Sequence, residues 1–338
     1  MWGGTVTAAE PHAVAFIYHR FGEPRLPSTN VQPEQFAAQL DALAEGGFQV
    51  WPLSRILEHL DARRPMPDKV VAITIDDAYA SVHRHAFPIL RERGLPFTVF
   101  VASEPVDQGR SGYMSWAQLR EMAAHGAEFG NHSRHHHHLV ARRPGEDEAA
   151  WRARVTADIR HAQLRLQAEL GARVRPWFAY PYGEYSRPLA EVIQALGLVG
   201  FTQRSGAMGV DSDRRALPRY PAAGRYAELP GFLLKAASLP FPLEWVRPWD
   251  PLLQGPQPPA WTVRLARTPP RWRELACYAS GQGRIEVVWR EPGREFTTQA
   301  PAPFSARRGR YNCTVPTPEG RWRWLSQEWV APWIPEGD

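Results

Sequence analysis

The chain has 338 residues, 43% of them hydrophobic, which exceeds the usual size of one domain and suffices for a substantial core. Its 40 lysines and arginines against 35 acidic residues give a net charge of +5, but they are scattered without a basic stripe or nucleic-acid motif, so nucleic acid is excluded as a partner. No run of about 18 apolar residues occurs, which excludes a transmembrane helix.

The ends of the chain bear on its compartment. Residues 1–6 lack the basic and apolar regions of a signal peptide, so we expect either a cytoplasmic protein or a chain that begins after a removed leader. Cys277 and Cys313 are the only cysteines, and they are either free thiols or a disulfide, which would indicate an oxidising compartment. The sequence leaves the oligomeric state open.

Strand-like runs alternate with helical patterns up to about residue 238. The predicted strands lie at 13–18, 48–51, 70–75, 97–102, 127–130, 177–180 and 199–202. The predicted helices lie at 33–45, 54–63 with Ser54 as the cap, 82–93, 115–125, 146–170 and 188–196. Such alternation with short connections is typical of a parallel sheet or barrel with helices outside.

The pattern changes after residue 238. Seven prolines in 239–259 predict an extended linker or strap. Six short runs of nearly alternating polarity follow, which predict a small antiparallel β-domain. We therefore expect a barrel at 1–238, a proline-rich linker at 239–259 and an all-β domain at 260–338.

Tryptophans are frequent in this last segment: Trp261, Trp272, Trp289, Trp322, Trp324 and Trp329. They are either core aromatics of a sandwich or a platform for sugar rings, which would make the domain glycan-binding. Trp322 and Trp324 share one face of a predicted strand, so they are the pair best placed for such a platform.

Two adjacent carboxylates, Asp76 and Asp77, directly follow the apolar strand at 70–75. Adjacent residues leaving a strand point in different directions, so one carboxylate is able to bind a metal while the other faces a reacting water. The alternative is an ordinary helix cap.

A second motif follows the strand at 127–130. His132 and His136 have a spacing that turns two imidazoles toward one metal, and Asp77 completes a set of two histidines and one carboxylate. Three protein ligands with an open position are typical of a catalytic metal site. The alternatives are a solvated histidine run or an expression tag, and an internal position argues against a tag.

A third motif, 177–183, also follows a strand. The backbone N–H of Tyr182 is placed to face an oxyanion while Pro181 stiffens the turn; the alternative is an ordinary strand-to-loop turn. Because the carboxyl ends of parallel barrel strands open on one face, we expect all three motifs to meet there.

On these motifs the chain resembles the polysaccharide deacetylases of the NodB-homology family, carbohydrate esterase family four. The segment 74–78, Thr-Ile-Asp-Asp-Ala, is similar to the family's Thr-Phe-Asp-Asp-Gly, and 132–136 is similar to its His-Ser/Thr-x-x-His. The resemblance covers roughly residues 13–220. It is closest to members with Tyr-Pro-Tyr-Gly in the third motif, which include exopolysaccharide N-deacetylases.

The resemblance implies a fold of the α/β class, a distorted (β/α)₇ TIM-like barrel. It also implies a metal-dependent hydrolase that removes acetyl groups from an N-acetylglucosamine-type polysaccharide and releases acetate. Asp77, His132 and His136 would hold the metal, expected to be Zn²⁺, although Co²⁺, Ni²⁺, Fe²⁺ or Mn²⁺ also suit this ligand set.

Further roles follow from the same resemblance. Asp76 would be the general base for the attacking water, and the Tyr182 N–H would stabilise the oxyanion. Tyr79, Tyr180 and Pro181 are expected to contact the substrate.

Three positions depart from the family pattern. Phe178 stands where an arginine usually orients the base, and we expect Arg219 to replace that arginine by pairing with Asp76; the alternative is a surface arginine. The usual Leu-x-His with the general acid is missing, so we assign this role to His19; the alternative is a hydrogen-bonded core histidine. Ala78 replaces the motif's glycine and adds a methyl group near the turn.

Two other functions remain open at this stage. The same metal site supports an O-acetyl esterase acting on a polysaccharide such as xylan. The departures also fit a non-catalytic carbohydrate-binding barrel, although a base retained beside three metal ligands argues against it.

Overall fold

The computed structural model describes residues 10–335. Residues 1–6, on which the expectation about a leader rests, lie outside this range. None of the helices described is both long and apolar enough to cross a membrane.

A curled sheet dominates the N-terminal part. The strands of this part are β1 His12–Tyr18, β2 Arg20–Phe21, β3 Asn30–Val31, β4 Gln49–Val50, β5 Val70–Asp76, β6 Thr98–Val101, β7 Glu128–Asn131, β8 Val174–Ala179, β9 Val199–Phe201, β10 Met208–Gly209 and β11 Tyr220–Pro221. Its main path runs β10-β1-β5-β6-β7-β8-β9, and the neighbours from β1 to β9 on this path are parallel. All seven predicted strands are present, and the expected TIM-like α/β fold is confirmed as a half-barrel.

Helices cover the outer face of this sheet. They are α1 Pro33–Glu45, α2 Leu53–Asp61, α3 Phe87–Glu92, α4 Ser103–Asp107, α5 Trp116–Ala124, α6 Glu148–Leu170, α7 Arg187–Ala195 and α8 Leu229–Ala236. All seven residues of β5 are buried, as expected for a strand with helices on one side and the barrel interior on the other.

Two helix predictions were wrong in detail. The Ser54 cap is absent because α2 begins at Leu53, and the Ser54 amide instead donates to the Glu128 carboxylate at 3.1 Å. The helix predicted at 82–93 is divided into a π-helical turn, Val82–Ala86, and α3. Pro88 explains the break, since it has no N–H to continue the regular ladder.

The C-terminal part forms two further sheets. Its strands are β12 Leu239–Pro240, β13 Leu243–Arg247, β14 Trp261–Leu265, β15 Ala276–Ala279, β16 Gly283–Ile285, β17 Val287–Glu291, β18 Glu295–Thr298, β19 Arg308–Pro316 and β20 Trp322–Val330. The sheet orders are β12-β20-β19-β15-β16 and β13-β14-β18-β17. We refer to residues 239–335 as the β-region. Its first two strands come from the proline-rich segment, and the predicted domain boundaries remain predictions.

The core of the β-region accounts for several aromatic and sulfur side chains. Trp261 and Trp329 are fully buried, so they are core residues and offer no platform to a sugar. Cys277 and Cys313 face each other across β15 and β19 and form a disulfide, which settles the alternative left by the sequence. Trp322 and Trp324 line an open groove, and a glycan-binding role for it stays a prediction.

Glu328 is a buried carboxyl where the β-region packs on the barrel, and its Oε2 has no hydrogen-bond partner among residues 10–335. Burial raises its pKa from 4.5 to about 7, although Arg310 opposes this. The folded protein therefore keeps a proton that the unfolded chain loses between these values, so stability falls as pH rises through this window. Across this window the free energy of unfolding falls by about 3 kcal/mol in total.

We expect Glu328→Gln to increase the free energy of unfolding at pH 8 and to change it little at pH 4.5, because the amide carries no charge to bury. Urea unfolding at the two pH values measures this difference, with the exposed Glu319→Gln as the control. An equal pH dependence in wild type and Glu328→Gln would show that Glu328 is not the group responsible.

Candidate functional site

The Asp76-Asp77 pair lies at the carboxyl end of β5, where the backbone turns sharply. Asp77 and Ala78 have φ values of +76° and +63°, a region that residues other than glycine seldom adopt. Such strain persists where the surroundings enforce it, often at functional sites. The turn separates the two carboxylates: Arg219 pairs with Asp76, while His132 and His136 lie closest to Asp77.

Asp77 meets two imidazoles. Its Oδ1 lies 3.2 Å from His132 Nε2 and 3.1 Å from His136 Nε2. One ligand atom from each of these three residues lies within 4.8 Å of the others, so together they could hold a metal ion. The predicted combination of Asp77, His132 and His136 is therefore assembled in space.

The second nitrogen of His132 tests whether this set fits a metal. His132 Nδ1 lies 2.8 Å from the Ala179 carbonyl oxygen, and this contact assigns the proton to Nδ1. Nε2 then carries a lone pair directed toward Asp77, and it is buried without a hydrogen-bond partner among the described residues. A backbone carbonyl behind the ring is the usual support of a histidine ligand, so the residues fit a metal.

The loop after β7 explains how His132 and His136 come together. The Ser133 N–H donates to Asn131 Oδ1 at 2.8 Å, and the His136 N–H donates to Ser133 Oγ at 2.9 Å. Ser133 and His136 both have positive φ, +67° and +56°. The histidine run is therefore a folded loop whose histidines make different contacts, unlike a solvated tag.

Arg219 and Asp76 form a fully buried ion pair. Arg219 donates from Nη1 and Nη2 to the two carboxylate oxygens of Asp76 at 2.7 and 2.8 Å. Arg219 Nε donates to the Thr202 carbonyl at 3.1 Å, which fixes the guanidinium. The predicted pairing of Arg219 with Asp76 is therefore present in the structure. Phe178 is a buried core residue.

Electrostatics keep both carboxylates charged. Burial would raise the pKa of Asp76, but Arg219, His132 and His19 together outweigh burial and hold that pKa below its usual value. Burial also opposes ionisation of Asp77, and His136 and His132 hold its pKa well below the usual range. Asp76 is therefore an ionised, oriented carboxylate.

His19 follows β1 on the same face. Burial lowers the pKa of His19, although the Asp77 and Asp76 carboxylates oppose this. The ring is consequently neutral near pH 7, so a role as an acid requires it to take up a proton first. The carboxylates of Asp77 and Asp76 are close enough to His19 to affect its pKa, and its role as the general acid stays a prediction.

The third motif lies beside His136. Tyr182 has a φ of +60°, and its ring lies 4.6 Å from that of His136 and 4.0 Å from that of His138, which it stacks on. Pro181 precedes it and is buried. The turn thus presents a strained backbone next to His136, one of the three candidate metal ligands.

The three expected substrate contacts differ in exposure: Tyr180 and Pro181 are buried, while Tyr79 is half-buried. Tyr180 is fully buried and its hydroxyl donates to the Arg215 carbonyl at 2.7 Å, so its side chain has no surface for a substrate and that expectation needs correction. Tyr79 is half-buried, with the Arg20 guanidinium 3.3 Å from its ring centre. A substrate contact by Tyr79 therefore stays a prediction.

Sequence reasoning missed the carboxylate that follows the third motif. Glu184 is buried and lies 2.9 Å from His138 Nδ1, and Arg307 from the β-region donates to it at 2.7 Å. The only signal was an acidic residue directly after Gly183, which is too common to be informative by itself.

Comparisons with known proteins agree with this geometry. The polysaccharide deacetylase family model matches residues 63–201. A poly-β-1,6-N-acetyl-D-glucosamine N-deacetylase of Staphylococcus aureus (strain MRSA252) is 25% identical over 209 residues, 60% of this chain and 71% of that protein. The protein of the same name from Escherichia coli (strain K12) is 27% identical over 228 residues, and the match spans only 33% of its length.

Among solved structures, IcaB from Ammonifex degensii is similar with a TM-score of 0.56 and 28% sequence identity. The alignment covers 68% of this chain and 99% of that one, so the similarity takes in that whole chain and leaves about a third of this chain outside. The matched segment and the shared fold show that the half-barrel of this chain is similar to the polysaccharide deacetylases of the NodB-homology family.

Proposed function

We propose that this protein is a metal-dependent N-deacetylase of an N-acetylglucosamine-type polysaccharide. The observation that carries the proposal is the division of the Asp76-Asp77 pair. Asp77 faces two imidazoles, while Asp76 is held by Arg219 with both of its oxygens. A hydrolase needs this separation between a metal ligand and a base.

Asp77, His132 and His136 are the residues that would hold the ion, with Zn²⁺ the expected metal. When bound, the ion supplies Lewis-acid polarisation of the acetyl carbonyl. This ligand set also accepts Co²⁺, Ni²⁺, Fe²⁺ or Mn²⁺, and selection among them is a separate question of geometry and availability.

The protein's own groups carry the proton transfers. Ionised Asp76 takes a proton from the attacking water, and Arg219 holds its carboxylate in one orientation. The Tyr182 N–H donates to the oxyanion that develops on the acetyl oxygen. The C–N bond then breaks, and His19, after taking up a proton, gives it to the leaving amine while acetate departs.

The proposed substrate class draws support from the relatives. Two of them are named for poly-β-1,6-N-acetyl-D-glucosamine, at 25% and 27% identity. We carry over the class, a polymer of N-acetylated amino sugars, and leave the linkage to experiment. The buried Asp76–Arg219 pair disfavours a non-catalytic binder, which would retain two buried charges without using them.

Acetate release from a panel of acetylated glycans tests the substrate class. With metal supplied, we expect β-1,6-linked N-acetylglucosamine oligomers to release acetate and to gain one free amine per acetate. O-acetylated xylan is expected to release little. Acetate from xylan without amine formation from the oligomers would favour the O-acetyl esterase, and release from neither would refute the proposed activity.

A further inference from the structure

The turn that carries Tyr182 needs external support. A non-glycine residue at a φ of +60° costs about 1–2 kcal/mol, so the turn relaxes unless neighbouring groups hold it. Its oxyanion-binding N–H depends on this backbone conformation. The structure shows the support as a chain of contacts that starts in the β-region and ends at a metal ligand.

The inner part of this chain is aromatic. The Tyr182 ring packs between His136 and His138, and the plane of the His138 ring is inclined by 13° to the plane of Tyr182. His138 is in turn oriented by its Nδ1, which lies 2.9 Å from Glu184 Oε2. Glu184 therefore fixes the orientation of the His138 ring, and the His138 ring in turn holds the Tyr182 ring that belongs to the turn.

The outer part of this chain is ionic. Arg307, just before β19, donates to Glu184 from Nε at 2.7 Å and from Nη2 at 3.2 Å, and Arg308 adds a contact at 3.2 Å. Arg307 is anchored by the Pro332 carbonyl at 3.0 Å. Burial would raise the pKa of Glu184, but the hydrogen bonds from His138 and Arg307 lower it to about 2, so this carboxylate stays charged.

We propose that Glu184 is a positioning residue for deacetylation and that Arg307 of the β-region completes it, holding His138 against Tyr182 so that the Tyr182 N–H points at the oxyanion. The β-region is then a structural part of the active site. The inference rests on the proposed function and adds residues that none of the three sequence motifs contains.

The predicted consequence is a loss of turnover with little loss of substrate or metal affinity. A displaced oxyanion donor destabilises the transition state alone, so we expect kcat of Glu184→Gln and Arg307→Met to fall about 10- to 100-fold. KM should change less than about twofold, because no ground-state contact is removed. Affinity for Zn²⁺ should stay within about threefold of wild type, since Asp77, His132 and His136 are unchanged.

The experiment compares full-length variants by acetate release from an N-acetylglucosamine oligomer, by calorimetric titration of the metal-free proteins with Zn²⁺, and by circular dichroism. Arg307→Lys, which retains the charge, should recover part of the lost kcat. Arg267→Met is the matched control, since it removes an exposed ion pair with Glu10 from the same region, and it should leave kcat unchanged.

Wild-type kcat in folded Glu184→Gln and Arg307→Met would overturn the inference, as would a loss seen only in thermal stability. If either fails to fold, Glu184→Asp decides: it keeps the charge but is too short to reach both partners, so a tenfold lower kcat supports the inference and an unchanged kcat refutes it. A wild-type protein without turnover would instead refute the proposed function, and the inference with it.

Discussion

Asp76→Asn is expected to lower kcat for acetate release by about 10²- to 10⁴-fold, because the amide cannot accept a proton from the attacking water. Zn²⁺ binding should persist, since Asp77, His132 and His136 are untouched. The substitution changes one atom and little volume, so the loss reports on the proton acceptor more than on packing.

Measuring this effect requires a correction for folding, because asparagine leaves the buried Arg219 charge without its partner. Activity is therefore compared per folded, metal-loaded molecule, with circular dichroism and metal content determined on the same samples. Asp61→Asn, which removes an exposed ion pair with Arg214, is the control. Full activity in metal-loaded Asp76→Asn would exclude Asp76 as the base.

Arg219→Met is expected to reduce the free energy of unfolding by about 3–5 kcal/mol, since it leaves an unpaired carboxylate in a fully buried position. Arg219 also holds Asp76 in one orientation through two hydrogen bonds, so kcat should fall as well. Arg219→Lys keeps the charge but loses the two-pronged geometry, and we expect an intermediate loss in both quantities.

Urea unfolding of the metal-free proteins measures the stability change separately from metal binding. The double variant Asp76→Asn/Arg219→Met removes both buried charges, so it should be more stable than Arg219→Met alone. An Arg219→Met protein that unfolds at the wild-type urea concentration would contradict the account of this pair as a buried, mutually dependent unit.

The sequence predicted the part of the site whose residues are close together in the chain. Asp76 and Asp77 are adjacent, and His132 and His136 belong to one loop, so local spacing and a preceding apolar strand sufficed. Arg219 is 143 residues from Asp76, and its pairing was predicted only because Phe178 left a position to be filled. The pairing of Arg219 with Asp76 was predicted on chemical grounds, because a general base needs a cation that orients it.

Contacts between the barrel and the β-region could not be predicted from the sequence. Glu184 and Arg307 are 123 residues apart, and no local pattern indicates which acidic residue meets which of many arginines. The same limit applies to Tyr180, whose expected exposure depended on which way a strand-end ring turns. Its hydroxyl instead finds the Arg215 carbonyl inside the barrel wall.

Metal removal is the measurement that tests the central claim most directly. Acetate release from an N-acetylglucosamine oligomer is followed in the purified protein, after chelation and dialysis, and after addition of stoichiometric Zn²⁺. The account predicts that chelation abolishes acetate release, that Zn²⁺ restores it in wild type, and that His132→Ala neither binds Zn²⁺ at the site nor recovers. Undiminished acetate release from the metal-free wild-type protein would contradict it.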